Sequence, residues 1–438
     1  MALGGGVFLA QNKTLPGAYI NFVSVLNAGA DISERGRATL PLSLDWGEEE
    51  KMFTVEAADF IKDSLKIFGY EYTHEKLKAV REIFKNAGTV HFFRLNSGGE
   101  KAENTFARAK HTGVLGNSLS IVIKENAESA AGAELYDVST YLGTLCVDVQ
   151  KGVGSAAALA SNDFVEWKAG AALSLTAGTP LSGGVNGAVT GAAYQSYLDA
   201  AESVSFNAMG CTSDVAEIKD MFCAYTRRMR DEAGKKFQCV LYDEAADFEG
   251  VISVRNTAND SDEAGALVPW VTGLAAGCAV NRSADNMRYD GEYDVDTAYT
   301  QAELSAGIEA GAFMFHLSDG EARVLRDINT FVSATDEKSR DFSDNQVMRV
   351  LDQTANDIAA VFAKKYLGRV ANDESGRISF WNDIVKHHAE LEKIRAIEGF
   401  DSGDVRVEQG ETKRAVSVFD KIKPVCAMSQ LYMTVYVM

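Results

Sequence analysis

Proline is scarce, with five residues in 438, and nowhere do Pro, Gly and Ser accumulate into a stretch long enough for a flexible linker. Domains are therefore expected to join tightly, with the chain able to leave one and return to it. Apolar runs stay well below the roughly 20 residues that a membrane helix needs. The opening MALGGGVFLAQNK lacks the charged start and long apolar core of a signal peptide. Neither membrane insertion nor export by a visible signal is expected. Positive charge is in deficit, 43 Lys and Arg against 62 Asp and Glu for a net −19. That balance repels nucleic acid and anionic membrane surfaces. Six cysteines (Cys146, Cys211, Cys223, Cys239, Cys278, Cys426) are scattered without a C-x-x-C pair or a nearby histidine. This is poor spacing for zinc and a poor disulfide framework for so long a chain, and it suits reduced thiols in a cytoplasm.

Catalytic signatures are missing as well. No G-x-x-x-x-G-K-[ST], H-E-x-x-H or G-x-S-x-G occurs, so no nucleotide, metal or other cofactor is expected and no catalytic residue is assigned. Of six histidines only His387 and His388 are adjacent. Successive helical residues point about 100° apart, which argues against a shared metal. His316 has Asp319 nearby, but a hydrolase would also need a nucleophile in reach. Cys211, between an expected strand and an expected helix, is the best candidate for a hidden nucleophile, because helix N-termini lower thiol pKa; a structural cysteine is the preferred reading.

What is present is enough apolar residue, 46% of the chain, to fill real cores. The 67 residues from Asp243 to Glu309 hold fourteen acidic and three basic residues and no lysine. This reads as a solvated acidic surface; a calcium site would need a loop spacing that is not there. Strands are expected at 18–25, 38–44, 89–95, 204–209, 237–242, 251–254, 313–317 and 324–328. Helices are expected at 55–68, 73–86, 192–201, 214–232, 264–280 (interrupted by Pro269), 301–310, 344–367 and 379–397. Between 97 and 187, short β-rich runs (105–109, 118–125, 136–142, 145–150, 164–168, 172–176) separated by Gly, Asn and Ser suggest a small β-sandwich inserted in an α/β domain. Strands at 404–408, 415–423 and 430–437 close the chain. Both ends look built for burial, and as free edges they would invite aggregation. Either they pair within their own molecule, or they add to a neighbouring subunit, where repetition would build a ring, helix or sheet.

Five stretches carry a family resemblance: GGGVFLAQNKTLPGAYINFVS at 4–24, INTFVS at 328–333, VMRVLDQTANDIAAVF at 347–362, FDSGDVRVEQGETKRAVSV at 400–418 and KPVCAMSQLYMTVYV at 423–437. In this order and at this length they resemble contractile-tail sheath proteins of the kind encoded by prophages of Gram-positive bacteria. The resemblance implies a multidomain α/β (α+β) fold. Its parts are an N-terminal arm (1–29), an α/β domain that is subtilisin-like in shape only (30–96 and 187–340), an inserted β-sandwich (97–186) and a C-terminal α/β domain (341–438). It implies strand exchange between subunits through Tyr19, Ile20, Phe22, Val23 and Val25 at one end and Leu431, Tyr432, Met433, Val435, Tyr436 and Val437 at the other. It also implies a mechanical role, with hexameric rings stacked around a tail tube that contract to drive the tube through a bacterial envelope. The partners are then the chain itself, the tail tube protein, and the baseplate and tail terminator proteins, with assembly in the bacterial cytoplasm into a virion or phage-tail-like particle. The helix at 379–397 is expected to face the tube with Lys386, Lys393 and Arg395, and to add His387 and His388 as polar surface. The competing classes are an α/β-hydrolase-like or subtilisin-like enzyme and a non-tail self-assembling coat or surface protein.

Overall fold

A computed structural model describes residues 4–6, 17–19, 32–129 and 134–437. The chain forms two compact units. The larger comprises Ser33–Asn356, Glu392–Gly399 and Lys423–Met438, and the smaller includes Asp357–Leu391 and Phe400–Ile422. The segment 341–438 is thus shared between the two units.

A seven-stranded sheet organises the larger unit. Its order is Phe53–Glu56, Thr89–Arg94, Arg37–Leu42, Ala208–Cys211, Gln238–Tyr242, Val251–Val254 and Ala312–Phe313, parallel throughout except at the first pair. Successive side chains go to opposite faces, and each face has its own core. Ala38, Leu40, Val90, Phe92, Ala208, Val240, Ile252 and Val254 join the helices Ala57–Phe68, Lys78–Phe84 and Val268–Gly277 through Phe60, Phe68, Val80, Ile83, Trp270 and Leu274. Phe93, Met209, Cys211, Cys239, Leu241 and Val251 join the helices Gly191–Ala201 and Ala216–Asp231 through Tyr197, Leu198, Phe222, Tyr225 and Met229. Burial on both faces is why these strands read as continuous apolar runs.

Residues 97–187 form the antiparallel insertion. A four-stranded sheet (Thr176–Pro180, Leu119–Glu125, Tyr136–Leu142, Leu145–Val153) and the pair Val165–Trp167 with Ala107–Ala109 share one core of Leu119, Ile121, Ile123, Val138, Ala107, Ala109 and Val165. The two crossings into it run side by side. Glu100 and Val185 exchange backbone bonds of 2.9 and 3.1 Å, and Gly187 N donates to Asn96 O at 3.2 Å. Asp45 locks this junction by accepting from Tyr70 Oη at 2.6 Å, Asn186 Nδ2 at 2.8 Å and Lys76 Nζ. Burial alone would push its carboxyl up; these three partners outweigh burial and hold it below the usual carboxylate range. At Gly187 a Cβ would sit 1.8 Å from Ser97 O, and at Gly99 2.0 Å from Val185 O, so only glycine lets the crossings touch. Gly187→Ala is expected to cost about 1–3 kcal/mol through forced backbone displacement, read as a lower calorimetric midpoint. An unchanged midpoint would mean that the crossings separate freely.

Several expectations are corrected. Val55 and Glu56 belong to a strand, and the helix starts at Ala57. Pro269 opens the helix Val268–Gly277 instead of interrupting it, since the first turn has no use for its missing N–H. The strand expected at 204–209 is Ala208–Cys211, the one at 172–176 is Thr176–Pro180, and the one at 324–328 is Glu321–Val324. The helix expected at 379–397 is Glu374–Lys393, so Arg395 lies beyond it with a left-handed φ of 60°. Of the N-terminal strand, Gly17–Tyr19 pairs in parallel with Gly4–Gly6. Ile20, Phe22, Val23 and Val25 lie outside the described residues.

In the smaller unit the helix Glu374–Lys393 packs Phe380 and Ile384 against Tyr366 and Val405. Trp381 Nε1 donates to Val405 O at 2.9 Å. Beside it lies the antiparallel hairpin Arg406–Gln409 with Val416–Phe419.

Candidate functional site

The residues with chemistry to offer are mostly occupied by structure. Cys211 ends a central strand, is fully buried, and has its thiol pushed up to about 12 by that burial, the opposite of an activated nucleophile. His316 sits in the hairpin Phe315–Ser318 with Glu321–Val324, opposite Arg323. In the acidic segment, Asp260 pairs with Lys78 at 2.8 Å and Glu292 with Arg81 at 2.7 Å, while Glu303 closes a capping box with Thr300. Most of the fourteen acidic side chains are exposed. Among the described residues no three of His, Cys, Asp and Glu are grouped to hold a metal ion, and no helix is long and apolar enough to cross a membrane.

The C-terminal segment is different. Its root is fastened within the larger unit: Glu398 N donates to Lys423 O at 3.0 Å, Val425 N to Ala396 O at 3.0 Å, and Ala427 N to Gln346 Oε1 at 2.9 Å. Beyond that point no ladder forms among the described residues, and the strand expected at 430–437 does not appear among them. Leu431, Tyr432, Met433, Val435, Tyr436 and Val437 are each 68–92% exposed, and Met428 is wholly so. Burying such side chains is worth about 1.5–3 kcal/mol apiece, and single exposed apolar residues are ordinary where a contiguous apolar strip is not. No charge solvates the segment: from Cys426 onward there is no charged side chain.

A second open feature is the hairpin Arg406–Gln409 with Val416–Phe419. Among the described residues it is a sheet of two strands, each with one neighbour, and Phe419 is 56% exposed. The candidate tube-facing residues Lys386, Lys393 and Arg395 are all exposed. His387 and His388 are not polar surface. They are 1% and 0% exposed, on the inner face of their helix. Their partners, Asp357 and Asp420, lie 30 and 32 residues away, beyond any local pattern in the sequence.

Four family descriptions match in chain order: the tail sheath protein domain III N-terminal region at 35–95, the phage tail sheath protein beta-sandwich domain at 86–186, the phage tail sheath protein central domain at 187–330 and the phage tail sheath C-terminal domain at 337–438. The phage-like element PBSX protein XkdK of Bacillus subtilis is 30% identical over 99% of this chain and 100% of its own length. The crystal structure of a sheath tail protein from Desulfitobacterium hafniense is 38% identical with a TM-score of 0.81, covering 93% of this chain and 96% of that one. The anti-feeding prophage helical sheath in its contracted state shares the fold at 12% identity, with a TM-score of 0.55 over 97% of this chain and 99% of that one. The chain belongs to the phage tail sheath protein family and is a structural protein, not an enzyme.

Proposed function

We propose that this chain polymerises as stacked hexameric rings around a tail tube and contracts to drive the tube through a bacterial envelope. The observation that carries the reading is the exposed, uncharged apolar segment at 428–437, which has no ladder partner among the described residues. An extended segment of this kind gains backbone bonds and side-chain burial together when it adds to a sheet in a neighbour. The two-stranded hairpin Arg406–Gln409 with Val416–Phe419 is the acceptor this reading assigns, because among the described residues neither of its outer edges carries a further strand. Addition of one copy to the next, head to tail, is open-ended and builds rings or helices instead of a closed dimer. The 12%-identical likeness to a helical sheath in a contracted state fits a shared architecture.

The finer assignments belong to the same proposal. Tyr19, Ile20, Phe22, Val23 and Val25 would exchange at the N-terminal end, and Lys386, Lys393 and Arg395 would face the tube. The acidic residues of 243–309 would face water, with domain limits at 1–29, 30–96, 97–186, 187–340 and 341–438. Partners would be the tube, baseplate and terminator proteins. Assembly would take place in the bacterial cytoplasm, without nucleic acid, and its energy would be held in the lattice instead of drawn from a nucleotide. The purified full chain, concentrated without nucleotide, is expected to form hollow cylinders or stacked rings in negative-stain microscopy. Flat sheets would favour a coat protein, and a monodisperse monomer at high concentration would overturn the proposal.

A further inference from the structure

The smaller unit carries an apolar cavity that the mechanical reading does not use. Phe362, Tyr366, Leu367, Val370, Phe380 and Val416 line a space of about 100 Å³. That is of side-chain size and far below the roughly 300–1,000 Å³ of ligand pockets. A wider helical turn at Phe362–Tyr366 sets the floor, with the Phe362 and Tyr366 rings 5.4 and 4.9 Å from Phe380. The rim stays in water: Leu367 is 63% exposed and Val370 42%.

Two guanidinium side chains also line this space. Arg377 Nη1 donates to Asn372 O at 3.1 Å and to Asn372 Oδ1 at 3.2 Å. Among the described residues no carboxylate pairs with Arg377 or Arg414. Residues 362–377 with 413–414 hold six basic and two acidic side chains, in a chain whose net charge is −19. One of the two acidic groups is spent locally, since Asp373 Oδ1 accepts from Gly376 N at 2.8 Å. A cationic rim around an apolar hole selects a partner that offers an aliphatic side chain beside a carboxylate. Copies of so acidic a chain repel one another, and their association needs places where opposite charges meet.

The larger unit presents that chemistry on the hairpin Phe315–Ser318 with Glu321–Val324. Its two-residue turn, Asp319-Gly320, has left-handed φ values of 52° and 78°, the tight turn that Asp-Gly favours, so the tip is short and held in register. Leu317, opposite Ala322, is 61% exposed. Two residues on, Asp319 is exposed and has no cationic partner among the described residues. Glu321, by contrast, is taken by Arg288 at 3.3 Å and Arg323 at 2.7 Å. Val215, beside Asp214, is less exposed at 49% and stands at the start of a helix instead of near a hairpin tip. We propose that the cavity is a docking site for a second copy of this chain, with Leu317 of the incoming copy filling it and Asp319 meeting Arg377 and Arg414. The contact joins unlike surfaces, so it repeats head to tail. Its place in a polymer rests on the assembly reading above; the pairwise contact does not.

Two full-length variants, Ser318→Cys and Ala371→Cys, test the contact when mixed and treated with a short bismaleimide. Mixing separates a contact between copies from one within a copy. Peptide mass mapping separates both from the exposed native Cys146 and Cys426. The expected product joins position 318 of one variant to position 371 of the other. Adding Asp319→Arg to the first variant should lower its yield about two- to fivefold, the range of an exposed ion pair. Adding Arg414→Asp to the second should restore it. Leu317→Asn should lower the yield about tenfold, through lost apolar burial. Leu317 and Asp319 lie in water, so these changes should leave the unfolding midpoint where it was. Cylinders that form without the 318–371 product would overturn the contact and leave the assembly reading standing. The product from a chain that never forms cylinders would support the contact and overturn that reading. No product in either case, or one joining position 371 only to another site of the second copy, would overturn the contact.

Discussion

Removal of residues 431–438 is expected to abolish the proposed polymerisation and to leave the rest of the chain folded. The eight residues lie beyond the segment's last backbone anchor, Ala427 N on Gln346 Oε1. The large apolar side chains from Leu431 to Val437 are mostly in water, so the described core loses none of its members with them. In the assembly they would contribute ladder bonds of about 0.5–1.5 kcal/mol each as well as apolar burial. Four bonds near 1 kcal/mol already amount to roughly a thousandfold in an association constant, and every subunit of the polymer loses the same amount. Sedimentation and negative-stain microscopy should therefore give monomers, with a far-UV spectrum and unfolding midpoint matching the full-length chain. A truncated protein that unfolds would place the strand in its own core. One that still forms tubes would place the adhesive contact elsewhere.

How much of this was legible in the sequence depended on whether the signal was local. Strands buried on both faces announced themselves: Val90 and Phe92 serve one core, Phe93 the other, and the run reads apolar without alternation. The inserted antiparallel region was legible from its turns. Element ends were less so, because a neighbouring chain segment often decides them. Asn207, expected in a strand, instead donates its N–H to Arg37 O just before the strand Ala208–Cys211 begins. The histidine pair reads as polar surface from the basic residues Lys386, Lys393 and Arg395 that precede and follow it, while the carboxylates that partner it come from far along the chain. The C-terminal segment was recognisable by composition as something needing a partner. A single chain's sequence pattern identifies the need without identifying which sheet meets it. The stretches that carried the family resemblance turn out to have two kinds of role. The terminal run is open apolar strand, whereas VMRVLDQTANDIAAVF holds buried polar residues: Arg349 on Asp327, and Asp352 in a bidentate pair with Arg230 at 2.7 and 2.8 Å.

That second role has the largest expected cost. Asp327→Ala and Arg349→Ala are each expected to destabilise the larger unit by about 3–5 kcal/mol. Asp327 is 3% exposed and Arg349 2%. The carboxylate accepts from Arg349 Nη2 at 2.6 Å, Ala284 N at 2.9 Å and Asn345 Nδ2 at 3.0 Å, and Asn345 Oδ1 in turn accepts from Gln238 Nε2 at 2.6 Å. One network therefore joins a central strand, the 281–287 loop, the 325–331 segment and the helix Asn345–Val361. Removing either partner strands the other charge where water cannot reach it, and that penalty, more than the lost attraction, sets the size of the effect. Burial by itself would push the Asp327 carboxyl up; the Arg349 guanidinium and the three hydrogen bonds outweigh it and hold it below the usual range. The sign follows: its contribution is present in full above the unfolded carboxyl's value of about 3.9 and is lost as pH falls through the lower folded value. Urea unfolding at neutral pH should show a lower midpoint at constant slope for each single variant. The paired replacement Asp327→Leu with Arg349→Met should recover most of the loss, since a well-packed apolar pair of similar volume leaves no charge unpaired. It should also flatten the acid side of the wild-type stability curve. Single variants that lose less than about 1 kcal/mol, the range of an exposed ion pair, would mean that water reaches this pair after all.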